Sequence, residues 1–142
     1  MKVFQFVKEV PYYTAYLESQ LGDSIESMTY EELRKAYLND RFYSTHILGP
    51  ILNFEWDCVN FTVWNYEILQ KKWAKEQGMR YNNIIEILYA QFESFQPDVI
   101  YNLQPAFFTN EQVKLIPGNP IKICWFAAPT NNKMDFSSYD AR

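Results

Sequence analysis

The sequence predicts an α/β fold, an open parallel sheet of about four strands with helices on both faces. Three observations carry that prediction. Apolar runs of strand length alternate with helical segments along the chain. Val99-Ile100-Tyr101 is a continuous apolar run, as expected of a parallel strand covered on both faces. Polar residues and prolines follow the strands, where a doubly wound sheet carries its functional loops.

Lys2–Val7 reads as the first strand, closed by Lys8-Glu9-Val10-Pro11. A helix is expected from about Tyr12 to Leu21, with Tyr13, Tyr16 and Leu17 on one stripe and Gly22-Asp23-Ser24 as its end. Met28–Arg41 has a well-specified helix start. Thr29 stands three residues before Glu32 as a capping box, and Met28 with Leu33 forms the hydrophobic staple. Leu33, Ala36 and Tyr37 supply its buried stripe. A further helix is expected over Phe42–Leu52, bent at Gly49-Pro50.

Asp57–Val63 alternates like a strand and is rich in β-branched and aromatic residues. Asn65 is placed to cap the next helix, whose stripe is Tyr66, Leu69 and Trp73 and whose stop is Gly78. Asn83 and Glu86 repeat the capping-box spacing, and Ile84, Leu88, Phe92 and Phe95 line one face up to Pro97. Asp98–Leu103 is the third strand. Thr109 and Gln112 cap a short helix through Ile116, Pro117-Gly118-Asn119-Pro120 turns the chain, and Ile121–Ala127 is the fourth strand. Right-handed crossovers make these strands parallel in a Rossmann-like sheet of order 2-1-3-4. Its ligand edge collects the loops after Val7, Val63, Tyr101 and Phe126.

At 142 residues the length suits one domain with a real core. A hydrophobic fraction of 48% and a charged fraction of 21% are those of a globular chain. A net charge of -4 argues against nucleic acid or an anionic membrane as main partner. The basic cluster Lys71-Lys72 to Lys75 sits on a helix with Glu67 and Glu76, which reads as a solvated face. Cys58 and Cys124 lie among apolar neighbours and are expected as buried, reduced thiols. Val3 to Val7 is too short for a signal peptide, and no apolar run reaches the roughly 20 residues of a membrane span. A cytoplasmic setting is the expectation.

Most catalytic signatures are missing. The four glycines are scattered, which excludes a dinucleotide fingerprint and a P-loop. The one histidine, His46, falls inside a helical segment and reads as structural. No nucleophile elbow and no zinc-ligand spacing occur, so no metal site is expected. What remains is a polar and aromatic set at the strand ends. Tyr12 and Tyr13 follow the first strand, Asn65 the second, Asn102 and Gln104 the third, and Ala128, Pro129 and Thr130 the fourth. Amide groups beside an aromatic face suit a ligand with many hydroxyls. For Tyr12 and Tyr13 core packing is the alternative, and for Asn65 helix capping. Gln104, in a Pro-flanked loop, has the least local structural duty.

At these residues the chain resembles the N-terminal domain of bacterial glycosyltransferases of the GT-B architecture, the group related to spore maturation proteins. The resemblance covers most of the chain. It rests on Tyr12-Tyr13-Thr14-Ala15-Tyr16-Leu17, Phe42-Tyr43-Ser44, Asn65 with Gln70, Trp73-Ala74-Lys75-Glu76 and Gln91 through Phe95-Gln96-Pro97-Asp98-Val99-Ile100-Tyr101. Trp125-Phe126-Ala127-Ala128-Pro129 and Asp135-Phe136-Ser137-Ser138-Tyr139-Asp140 complete it. The chain departs from that pattern at Lys8-Glu9-Val10, where small residues are usual, and at Pro105, where an acidic residue is usual.

The resemblance implies transfer of a sugar from a nucleotide-sugar donor to an acceptor hydroxyl. Tyr12, Tyr13, Asn65, Gln104 and Ala128-Pro129 would line the acceptor side. The nucleotide would be held mainly by a C-terminal domain, which is the expected partner together with a sugar or glycan acceptor. No other cofactor is expected, the catalytic base is not assigned, and the chain alone is expected to transfer nothing. Ending at Arg142, where such a sheet ordinarily continues, it is expected to bare an apolar sheet edge through which it could dimerise. A stand-alone ligand-binding or protein-interaction module without catalysis is the alternative.

Overall fold

The computed structural model describes residues 1–40, 48, 58–126 and 134–141. Four strands, β1 (Val3–Val7), β2 (Val59–Val63), β3 (Val99–Asn102) and β4 (Ile121–Cys124), form one sheet in the order β2-β1-β3-β4. Every pair is parallel, with Val3 opposite both Val59 and Val99, and Val99 opposite Ile121. The expected Rossmann-like order is therefore the observed one. With the strand starts in register, all four carboxyl ends meet at one edge. The helix expected over Phe42–Leu52, with His46, lies outside the described residues apart from Leu48, and so do Ala127, Ala128, Pro129 and Thr130.

Helices α1 (Pro11–Leu21), α2 (Ser24–Ser27), α3 (Tyr30–Asp40), α4 (Glu67–Glu76), α5 (Ile84–Phe95) and α6 (Asn110–Lys114) occupy the connections, with a 3-10 turn at Pro105–Phe107. The capping boxes opened by Thr29 and Thr109 formed as their spacing required. Glu32 N–H donates to Thr29 Oγ1 at 3.2 Å while Glu32 Oε2 accepts from Thr29 N–H at 2.8 Å. Thr109 and Gln112 close a box on α6 in the same way, but on α5 only half of one forms: Asn83 Oδ1 accepts from the Glu86 N–H at 3.1 Å, while Glu86 Oε2 takes the Asn82 N–H at 2.8 Å. Gly78, expected as the stop of α4, has φ of +62°, a conformation that glycine adopts without strain. Gln96 ends α5 at φ +51°, and Pro97 then prevents continuation.

The pleat of β1 divides the core. Phe4 and Phe6 face Leu88, Phe92, Ile100, Phe108 and Val113 on one side of the sheet. Val7 joins Tyr13, Leu33, Tyr37, Phe61 and Leu69 on the other. Both faces of the central strand are thus covered, which is why all five of its residues are buried.

Several expectations need correction. Tyr16 does not join Tyr13 and Leu17 in the core but is 51% exposed. Cys58 lies in the turn before β2 and is exposed, whereas Cys124 is buried. Α short helix, α2, follows Gly22 where only a turn was expected; Lys72 Nζ donates to the carbonyls of Glu26 and Met28 at its end. Β4 does not present a bare outer edge over Lys122–Cys124. Alternate N–H groups of a strand point to opposite neighbours, and those of Lys122 and Cys124 are taken by Asp140 Oδ2 at 2.7 Å and the Ala141 carbonyl at 3.0 Å. Ile123 forms a parallel bridge with Ala141.

Gln91 on α5 is 2% exposed, and neither atom of its amide has a hydrogen-bond partner among the described residues. An unpaired buried polar group costs about 1–3 kcal/mol. Gln91→Leu should therefore raise the unfolding free energy by about 1–2 kcal/mol in denaturant melts. A loss of stability would mean that ordered water satisfies the amide.

Candidate functional site

The chain leaves β1 for β2 on one side and later crosses to β3 on the other. Between β1 and β3 the winding reverses, and a sheet of this kind carries its ligand crevice at that point of the carboxyl edge. Two loops meet at this point. Lys8, following β1, sets its ammonium 3.9 Å from the centroid of the Phe107 ring, which follows β3. Such a contact is worth about 0.5–1 kcal/mol at an exposed site, enough to bias the lysine toward the crevice. Phe107 remains 53% exposed, and Tyr12 on the first turn of α1 is 70% exposed. Gln104, two residues after β3, is half-buried, and its backbone N–H donates to Asn102 Oδ1 at 2.9 Å.

Beneath this rim lies a polar clamp. Asn65 does not cap α4, whose N-cap is Tyr66 and receives no side-chain hydrogen bond. Its amide instead reads the backbone of Glu9 in both directions, accepting from the Glu9 N–H at 2.6 Å and donating to the Glu9 carbonyl at 2.7 Å. This ties the loop after β2 to the loop after β1. Glu9 is 1% exposed, and its carboxylate accepts from the Tyr37 hydroxyl on α3 and from the Val10 N–H at 2.7 Å. Burial pushes its carboxyl above the usual range, against the opposing pull of those two hydrogen bonds.

Beside it, Tyr13 donates to Asp40 Oδ2 at 2.6 Å. Burial, then the bond to Asp40 and the charges of Asp40 and Glu9, keep the Tyr13 phenol protonated far above its ordinary value. Its ring meets Tyr37 edge-on at 5.5 Å. Glu9, Tyr13 and Tyr37 therefore hold the loops in place rather than face a ligand.

Of the residues expected at the site, Tyr12 and Gln104 lie in the segments that follow β1 and β3, and Asn65 follows β2 and is tied to the loop after β1. Tyr13 and Asn102 are buried. Asn102 is fully enclosed and donates to the Tyr139 hydroxyl at 2.6 Å, so the tip of β3 is closed by the C-terminal segment. Ala128 and Pro129 lie outside the described residues. Lys8, Glu9, Phe107 and Tyr139 were not anticipated. The signal for the first two was present, because a charged pair directly after a mainly apolar central strand falls at the ligand edge of such a sheet. Tyr139 acts across 37 positions and carries no local signal.

Cavities of about 700 and 600 Å³ open at the opposite, amino-terminal ends of the strands, the first between α5 and the Pro117–Pro120 turn. A smaller one of about 330 Å³ lies on the carboxyl side, between the Pro105–Glu111 segment and Met134–Phe136. Among the described residues no group of three or more His, Cys, Asp or Glu is placed to hold a metal ion. No described helix is long and apolar enough to cross a membrane.

Topology and edge chemistry together define a Rossmann-like α/β domain with Lys8 and an exposed Phe107 ring in contact at its winding reversal. In comparisons with known proteins, no family model, no curated protein and no solved structure matches the chain.

Proposed function

We propose that this chain is the acceptor-side domain of a glycosyltransferase of the GT-B architecture, acting with a second domain that holds a nucleotide-sugar donor. The observation that carries the reading is the contact of Lys8 with the exposed Phe107 ring where β1 and β3 diverge, with Tyr12 and Gln104 in the segments that follow the same two strands. Amides and exposed aromatic rings suit a carbohydrate, whose ring faces are apolar and whose edges are hydroxylated. The resemblance of the Gln91–Tyr101 and Trp125–Pro129 segments to that group supports the same reading.

In this scheme the edge residues bind and orient the acceptor, while the clamp of Glu9, Asn65 and Tyr37 fixes the loops that carry them. Gln104 would take an acceptor hydroxyl through its side-chain amide, and Tyr12 would cover a ring face. A release assay for nucleoside diphosphate, run on the complete two-domain enzyme with a panel of nucleotide sugars and glycans, tests this. Gln104→Ala and Tyr12→Ala should each lower kcat/KM by about tenfold, with changes in stability within about 0.5 kcal/mol. Release by the 142-residue chain alone, or variants with unchanged kcat/KM, would contradict it.

One observation favours a second reading, a self-contained ligand-binding domain. Asp140 and Ala141 satisfy the outer edge of β4 within the chain itself, so no neighbouring strand is required there. Saturable sugar binding without turnover in any setting would select that reading.

A further inference from the structure

Resting on the reading above, we infer that the cavity between the Pro105–Glu111 segment and Met134–Phe136 is a subsite for a single neutral sugar ring. At about 330 Å³ it lies at the small end of the roughly 300–1,000 Å³ typical of small-molecule sites. Its apolar wall is built from Phe108 and Phe136, both buried, with Pro105 and half-buried Met134. Such a wall suits the C–H face of a pyranose. Asp135, Glu111 and Asn110 also line it, and their carboxylates and amide are the kind of acceptor that sugar hydroxyls require.

The polar side is organised before any ligand arrives. Asn110 Nδ2 donates to Ser137 Oγ at 3.3 Å, and its Oδ1 accepts from the Ser138 N–H at 3.4 Å. Asp135 accepts from the Ser137 N–H at 2.9 Å. That bond, with the Ser137 hydroxyl and Asn110, holds the Asp135 carboxyl below its ordinary range, so it stays an acceptor at neutral pH. Lys114 pairs with Glu111 at 2.8 Å and offsets one of the two negative charges. A neutral polyol fits this balance. Pre-ordered acceptors of this kind lower the entropy lost on binding.

The subsite also lies on the functional side of the sheet. The Pro105–Phe107 turn forms one wall of the cavity and at its end presents Phe107 to Lys8. A sugar held here would stand next to the crevice at the winding reversal. The two cavities at the amino-terminal ends share no residue with that crevice.

The test is a titration of the ¹⁵N-labelled chain with D-glucose, D-galactose, D-mannose and N-acetyl-D-glucosamine, each to high millimolar concentration. At least one should give saturable shifts in the amides of Asn110, Glu111, Asp135 and Phe136. Loss of a charge-assisted hydrogen bond should raise the dissociation constant about tenfold in Asp135→Ala. Glu111→Gln, at an exposed position, should raise it severalfold with an unchanged melting temperature. No saturable shift with any of the four sugars, shifts centred elsewhere, or undiminished binding in both variants would overturn the subsite. Transferase turnover with an unchanged acceptor KM in Glu111→Gln would remove the subsite alone. Saturable binding without turnover would remove the transferase and leave the subsite.

Discussion

Replacing Phe6 by alanine should lower the unfolding free energy by about 3–5 kcal/mol, the largest single effect expected in this chain. Phe6 is fully buried at the centre of β1, the strand that pairs with both β2 and β3. Its ring meets Phe92 of α5 at 5.6 Å and Phe108 at 5.2 Å, both edge-on. Each such pair adds about 0.5–1.5 kcal/mol beyond the area buried. Removing the ring empties the contact between sheet, α5 and the segment leading into α6, and a rigid β-strand cannot collapse to fill it. The melting temperature should fall by about 10 °C or more. Phe107→Ala, at a half-exposed ring that ends the 3-10 turn after β3, should change stability by less than about 1 kcal/mol. Similar losses in the two variants would mean that the described core is wrong.

Glu9→Ala is expected to cost about 2–4 kcal/mol at neutral pH, because it orphans both the Tyr37 hydroxyl and the Val10 N–H. Glu9→Gln separates charge from shape. Burial raises the folded-state carboxyl above its ordinary value of 4.5, so over that interval the unfolded chain has released its proton while the folded chain retains it. Folding then binds more protons than unfolding, and the Glu9 contribution to stability falls as pH rises from about 4.5 through the raised value. Below that window the contribution is fully present. The stability difference between the native chain and Glu9→Gln should therefore shrink as pH rises from about 4.5 through the raised value and level off beyond it, measured by denaturant melts. A difference that grows over the same range would show that the Tyr37 and Val10 hydrogen bonds outweigh desolvation. Exposed Glu32, whose carboxyl is lowered by its bond to the Thr29 N–H, shifts both proteins alike and cancels in the comparison.

The parts of this fold that were legible in the sequence are those set by local chemistry. The apolar runs of Val3–Val7 and Val99–Asn102 specified buried strands, and the Thr29/Glu32, Asn83/Glu86 and Thr109/Gln112 pairs specified helix starts. Helical connections between them then left a parallel sheet as the consistent arrangement. Asn65 shows where local reading stops. Its position suits a helix cap, yet its amide binds the backbone 56 residues away, where a bidentate match to Glu9 satisfies four polar atoms at once. Asn102 looked like a ligand contact because it ends a strand, but Tyr139 reaches it from the far end of the chain. Tyr12 and Gln104 were legible because chain order alone puts them directly after the first and third strands.

The central claim is that ligands are handled at the carboxyl edge between β1 and β3 and not at the larger cavities below. The most direct measurement compares acceptor KM and kcat in the two-domain enzyme for Gln104→Ala at that edge and Asn119→Ala in the cavity of about 700 Å³. The account predicts about a tenfold loss of kcat/KM for Gln104→Ala and none for Asn119→Ala. The reverse pattern, with both variants folded, would contradict it.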